Sequence, residues 1–418
     1  MIATREDIGW QDLLPLGRTF VALPSAHRPL IVAEREAAVL EYVRITMLAK
    51  PPGSRLPAWA YELARHALRL PGLWAIAPHV RGSASAGLRN GEVGLASWLI
   101  RTGHRLVVLD HSRDPDRRIV ALLFPSGSAE PSIAVKVATG HAAMLRIDIE
   151  RERLRLLAGL HLAKEVCDTV PRLVELRADV PGVAMFAQPG VPMFVSFHRG
   201  GHMHDRAAVC ADFTAAGGWL AALQSAPAGA AAPLDVDPSI FVAAEVQLAG
   251  APEQLRTVQL ALLVLRRRLQ AHRAVQTLVH GDFWAGNILM SDGKVSGVVD
   301  WERAEACGSP VRDLGRFAAA HSLCMDRHST PARRKERHSK LVAGPTSPGA
   351  RWAIAGDGWY PQVVREYLTA GLRRLGLPPS LGLDVLLVEL AAIAAEATDR
   401  QFGLDVWHTF TQLCGGNP

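Results

Sequence analysis

The run Ile288-Leu289-Met290-Ser291-Asp292-Gly293-Lys294-Val295-Ser296-Gly297-Val298-Val299-Asp300 leaves the backbone few options. Two short apolar runs flank Ser291 to Lys294, and Asp-Gly before an apolar run is a strong hairpin signal. An antiparallel hairpin returns the chain beside its own start. Asn287, at the head of the first strand, must then lie close to Asp300, at the tail of the second. Asp282 sits on the loop just before them. An amide oxygen and carboxylates converging on one point are the hard donors that Mg²⁺ takes, with water and phosphate oxygens completing its shell.

The order of these residues adds a second constraint. Phosphoryl transfer to a hydroxyl needs a carboxylate to orient and deprotonate the acceptor, and Asn and Asp ligands for the metal on the phosphates. Here His280-Gly281-Asp282 is followed, four residues later, by Asn287 and then by Asp300-Trp301-Glu302. The Asp-to-Asn spacing is that of the protein-kinase catalytic loop. On these residues the segment resembles the aminoglycoside phosphotransferase and choline kinase-like family, whose catalytic loop reads HGDxxxxN and whose metal-binding segment often reads DWE. Asp313-Leu314 matches that family's later Asp-Leu. His280 to Asn287 is also similar to the HGDLWxGN of fructosamine kinases, although DWE departs from their usual downstream motif.

The resemblance implies an α+β, bilobal protein-kinase-like fold with a small β-sheet lobe and a larger, mainly helical lobe. It implies transfer of the γ-phosphate of ATP or GTP to a small-molecule hydroxyl, with Asp282 as catalytic base and Asn287 and Asp300 holding Mg²⁺. His280 and Asp313 are read as loop-bracing residues. Glu302 either braces the metal loop or approaches the acceptor.

Strands are expected at Leu106–Leu109, Ile119–Phe124 and Ser132–Val137, followed by a helix from Arg146 to Leu160. Lys136 stands amid β-branched residues on the third strand. By the resemblance it contacts the α- and β-phosphates, paired with Glu150 or Glu152. Glu152 is preferred, because the family's glutamate stands just before the Leu-rich part of this helix. Val183 to Met193 resembles the hinge, with the backbone from Phe186 to Gln188, Ala187 at its centre, facing the adenine. The connection Asp110–Arg118 departs from the family: it has no glycine, and Arg113, Arg117 and Arg118 are the cations able to stand in electrostatically. That departure supports an alternative, a catalytically silent kinase-like nucleotide-binding module.

The resemblance does not cover residues 1–104. They are expected to form a structural extension on the small lobe, with strands at Phe20–Leu23 and Leu30–Ala33 and helices at Glu36–Met47 and Trp59–Leu70. The expected division is 1–104 extension, 105–190 N-lobe and 191–418 C-lobe. Ala226–Pro238 reads as a loop, Glu253–His272 as a long helix, and Arg327–Lys340 as a solvated insertion. The histidines of His198–His204 lack a companion thiolate, so no metal site is expected there. Late helices at Trp359–Leu375, Leu383–Phe402 and Val406–Cys414 line the acceptor cleft by the resemblance. Glu389, Glu396 and Asp399 lie on that stretch; Asp399 or Glu396 could meet acceptor hydroxyls or amines, but as surface helix charges they need no function and are not taken as site residues.

Five cysteines without CxxC spacing imply neither a disulfide framework nor a zinc site and suit a cytoplasmic protein. The +6 charge and pI of about 9.3 favour anionic ligands, a preference that nucleotide phosphates satisfy. Without a basic stripe interleaved with aromatics, nucleic acid is not an expected partner. The most apolar late stretch, Leu383 to Ala395, is too short to span a bilayer.

Overall fold

Leu- and Val-rich runs in the first half of the chain pair into one antiparallel sheet. A computed structural model of the protein describes residues 9–48, 58–82, 94–110, 117–176, 180, 182–195, 205–325 and 348–415. The sheet contains β1 (Thr19–Leu23), β2 (Ile31–Glu34), β3 (His79–Arg81), β4 (Arg105–Leu109), β5 (Arg118–Phe124), β6 (Ile133–Ala138) and β7 (Gly182–Phe186). Their order is β3-β1-β2-β4-β5-β6-β7, every pair antiparallel.

The N-terminal segment is therefore part of the small lobe's sheet, and the division expected at 104/105 falls between hydrogen-bonded neighbours. Val32 registers with Val108 and Ala33 with Val107. The physical reason lies in β4, where Leu106, Val107 and Val108 have no exposed surface. Such a continuous apolar run needs cover on both faces and a partner at its edge. Trp10, Leu13, Leu14 and the helix α3 residues Leu95 and Leu99 pack on one face; α3 is Leu95–Thr102. Val39, Leu40 and Val43 of α1 (Ala37–Thr46), with Trp74, pack on the other. Buried Glu34 ties the two parts together. It pairs with Arg18 (3.1 Å) and Arg105 (3.0 Å) and accepts from the Leu106 N–H (3.2 Å). A further helix, α2, spans Ala58–Ala67.

The helix α4 (His141–Ala158) follows β6. β7 then leads through Pro189-Gly190 into β8 (Val191–Pro192), which pairs with β11 (Ile288–Ser291) of the hairpin foreseen from the sequence; β12 is Lys294–Val298. Gly190 has φ +113°, and a Cβ there would meet Ser296 Oγ at 2.4 Å, so this turn requires glycine. Ser296 Oγ donates to the Pro189 carbonyl (2.6 Å), which pins the hinge to the hairpin.

A second small sheet has the order β13-β10-β9, from β9 (Pro227–Pro233), β10 (Arg273–Val279) and β13 (Glu305–Gly308). β9 lies in the segment expected to be a loop. Its prolines stand at the two ends of an edge strand, where a missing N–H is tolerated. Its ladder comes from β10, which is distant in sequence.

The larger lobe is built from α5 (Arg206–Leu223), α6 (Pro238–Gln247), α7 (Pro252–Gln270), α8 (Val311–Cys324), α9 (Pro348–Ala355), α10 (Trp359–Arg374), α11 (Gly382–Ala395) and α12 (Arg400–Gly415). Their apolar faces share one core. The expected single helix from Leu383 to Phe402 ends at Ala395, and Asp399 accepts from the Phe402 N–H (2.9 Å) to cap α12. No described helix is long and apolar enough to cross a membrane. Residues 111–116 of the Asp110–Arg118 connection, and all of His198–His204 and Arg327–Lys340, lie outside the described residues.

Candidate active site

The hairpin register sets the first part of the site. Ile288 pairs with Val298, and the Val299 N–H donates to the Asn287 carbonyl (2.9 Å), so Asn287 stands across from the residue before Asp300. The preceding loop is fastened from behind. Asp313 accepts from the N–H groups of His280 (2.7 Å) and Gly281 (2.8 Å). His280 Nε2 donates to the Val299 carbonyl (3.0 Å), while Nδ1 accepts from the Asp282 N–H (3.2 Å). The ring lies edge-on to Trp301, 4.6 Å between centroids. Gly281 has φ +82°, and a Cβ there would lie 2.3 Å from the Arg303 carbonyl oxygen. His280 and Asp313 thus brace the loop, as their positions led us to expect. Asn287 Nδ2 donates to the Asp282 carbonyl (2.9 Å) and to Asp282 Oδ2 (3.1 Å).

The small lobe supplies the counterpart. Lys136 Nζ donates to both oxygens of Glu150 (2.6 and 2.7 Å) and is ion-paired with Asp300. Glu150 also accepts from the Trp301 N–H (3.3 Å). The preferred partner, Glu152, is not the one that reaches Lys136. The inward stripe of α4 is Ala143, Ile147, Glu150, Leu154 and Leu157. Glu152 lies about 200° further round the helix, with its side chain 67% exposed and paired with Arg155. The alternating steps of three and four residues along that stripe are legible in the sequence and single out Glu150. Burial alone would lower the Lys136 pKa, but Asp300 and Glu150 raise it above the usual lysine range. Burial would raise Asp300, but Lys136 and Arg118 hold it well below the usual carboxylate range. The charged form of each group is therefore the stable one. Asp300 has φ +66°, a left-handed conformation that Asp tolerates better than most residues.

Glu302 faces the small lobe. It is ion-paired with Arg118 and stands 3.7 Å from Arg146. Burial raises its pKa against the pull of Arg118.

A second cluster surrounds Asp282. Arg316 donates to its Oδ1 through Nε (3.1 Å) and a terminal nitrogen (2.7 Å), and the same nitrogen pairs with Glu396 (2.7 Å). Arg303 also pairs with Glu396. Burial would raise the Asp282 pKa, but Arg316 and Arg303 hold it below the usual carboxylate range. Burial pushes nearby Glu389 up to about 8, against the pull of Arg312 and Arg316. Reasoning from the sequence missed Arg316 and set Glu396 aside as a surface charge. Arg316 had a signal, since it follows Asp313 by three residues on a helix and so shares its face. Glu396 is the C-cap of α11, directly after Ala395.

At the hinge, the Ala187 N–H is given to the Ser132 carbonyl (3.0 Å) as a rung of the sheet. That backbone donor does not face a base.

A lysine locked to a helix glutamate under an antiparallel sheet, a short hinge, a braced HGD loop and an Asn and Asp at one hairpin end define a protein-kinase-like phosphotransferase. Residues 126–352 match the family model APH, the phosphotransferase enzyme family, and the chain belongs to that family. Similar solved structures include a thermostable mutant of aminoglycoside phosphotransferase APH(4)-Ia in ternary complex with AMP-PNP and hygromycin B, at 14% identity. That likeness covers 76% of this chain and 95% of the other, with a TM-score of 0.46. The macrolide 2'-phosphotransferase MphH from Brachybacterium faecium is 18% identical over 77% of this chain and 96% of its own, TM-score 0.41. The streptomycin-ATP-APH(2")-IIa ternary complex is 14% identical over 73% and 90%, TM-score 0.39. At this distance none of these names an acceptor for the present chain. No curated protein matches it.

Proposed function

We propose that the protein moves the γ-phosphate of ATP or GTP to a hydroxyl of a small molecule in a Mg²⁺-dependent reaction. The observation that carries this reading is the Lys136–Glu150–Asp300 ion triad, set at the tail of the hairpin whose head holds Asn287 against Asp282. The donor set suits the metal. Asn287 spends its amide N–H groups on Asp282, which leaves its oxygen as a donor, and Asp300 stays ionised. Two protein oxygens completed by phosphates and water are the usual provision for Mg²⁺. When bound, the ion supplies neutralisation of the phosphate charge.

The remaining work falls to the chain. Lys136, kept extended by Glu150, positions the α- and β-phosphates. Asp282 orients the acceptor hydroxyl and takes its proton. A carboxylate held below its usual range is a weak base, so orientation is its larger contribution and proton transfer comes late, as a loose transition state allows. Asn287 and Arg316 fix the carboxylate's direction from its two oxygens.

Thermal unfolding with Mg²⁺ and ATP or GTP, on wild type and on Asp300→Ala, tests the proposal. A nucleotide at about a hundred times its Kd adds roughly 2.7 kcal/mol, a visible shift. Metal-dependent stabilisation is expected in wild type and absent from the variant, which keeps the Lys136–Glu150 pair and hence its fold. Equal shifts in both proteins would remove Asp300 from the site, and no shift in wild type with either nucleotide would count against a nucleotide site altogether.

A further inference from the structure

Arg118 opens β5, where the chain re-enters the sheet after a connection that contains no glycine. A glycine-rich turn at this place lets backbone N–H groups approach phosphate oxygens. The connection here has no such glycine, which makes side-chain cations candidates for that contact. Arg118 is the described cation in position to make it. Its side chain is only 19% exposed, is ion-paired with Glu302, and stands 4.0 Å from Glu150, the carboxylate that holds Lys136. Asp300 is the neighbouring charge it feels most strongly. The guanidinium therefore belongs to the same charge cluster as Lys136 and Asp300, but reaches it from the strand before.

Three cations, Lys136, Arg118 and Arg146, meet three carboxylates here, Glu150, Asp300 and Glu302. A cluster whose cations are already paired with carboxylates accepts a polyphosphate only if those cations also turn donors outward to meet it. A guanidinium has five N–H donors in a planar fork. Glu302 occupies one side of it, and the remaining donors match the spacing of phosphate oxygens.

We infer that Arg118 is a phosphate-binding residue for the β- and γ-phosphate oxygens of the nucleotide, held in place by Glu302, and does the work that a glycine-rich turn would do. The inference rests on the kinase reading and gives its donor site a specific ligand. A purely structural Arg118 would instead act as a latch between the sheet and the hairpin, indifferent to how many phosphates the ligand carries.

Calorimetric titration of the full-length protein with ATP, ADP, AMP and adenosine, each with Mg²⁺, separates the two. For Arg118→Gln, ATP affinity should fall about ten- to hundredfold, ADP affinity by less, and AMP and adenosine affinity not at all. Arg118→Lys, which restores a point charge without the fork, should recover part of the loss. An equal loss for all four ligands, or no loss for ATP, overturns the inference. Wild type blind to all four and to the corresponding guanine series would overturn the kinase reading and this inference with it. Wild type that binds ATP beside an Arg118→Gln variant that binds it equally well overturns the role of Arg118 alone.

Discussion

Asp282 owes its ionisation to two arginines from different places in the chain. Arg303 follows the hairpin and Arg316 sits on α8; together they outweigh the burial that raises its pKa. Removing Arg316 removes the larger of those pulls, so the Asp282 pKa must rise toward its ordinary value. A base works only when deprotonated, so the acid limb of the kcat/KM profile should move to higher pH in Arg316→Gln. The pH–rate profiles of the two proteins check this, and an unmoved limb would take Asp282 out of the role of base. At this scale the sequence was readable where spacing alone decides. Asn287 stands across from Val299, the residue before Asp300, because the hairpin pairs Ile288 with Val298. The partner of Lys136 was misread because similarity to a family pattern was weighed above the inward stripe of α4, which includes Glu150 and leaves Glu152 in solvent.

Elements are decided by partners as much as by their own residues. β1 and β2 were legible as β-branched runs, but nothing in them says that they cover β4. That role follows from β4 itself, whose Leu106, Val107 and Val108 are buried on both faces. A chain beginning at Arg105 would therefore expose an apolar strand edge and lose the Glu34 ion-pair node. It should aggregate on expression or run as large species in size-exclusion chromatography. A monodisperse truncated chain with native circular dichroism would show that the extension is dispensable. β9 makes the same point from the other side. Pro-Ala-Gly-Ala-Ala-Ala-Pro has little strand propensity, yet it pairs along β10. Sheet formation here reflects the neighbour that tertiary structure supplies.

Across the whole molecule, the two lobes meet through charge. Lys136 and Arg118 from the sheet reach Asp300 and Glu302 at the hairpin's end, and the hinge at Pro189-Gly190 is fastened to the same hairpin. The buried charges also set how stability responds to pH. Glu389 has its pKa pushed up to about 8, above the ordinary glutamate value of 4.5. The fold thus favours its protonated form. Its contribution is fully present below pH 4.5, declines as pH rises toward about 8, and is absent above that. Glu389→Gln, which stays neutral, should lose less stability than wild type between pH 5 and 8, by at least about 1 kcal/mol. Melting temperatures of both proteins across that range test it, and parallel curves would refute it. Short-range order determined the hairpin, since its turn signal returns the chain so that Asn287 lies across from Val299, next to Asp300. Which glutamate meets Lys136, why the N-terminal strands join the sheet, and how Arg316, paired with Glu396, reaches Asp282 depend on long-range packing. Those contacts join residues far apart in the chain, and only the burial of apolar faces against one another brings them within reach.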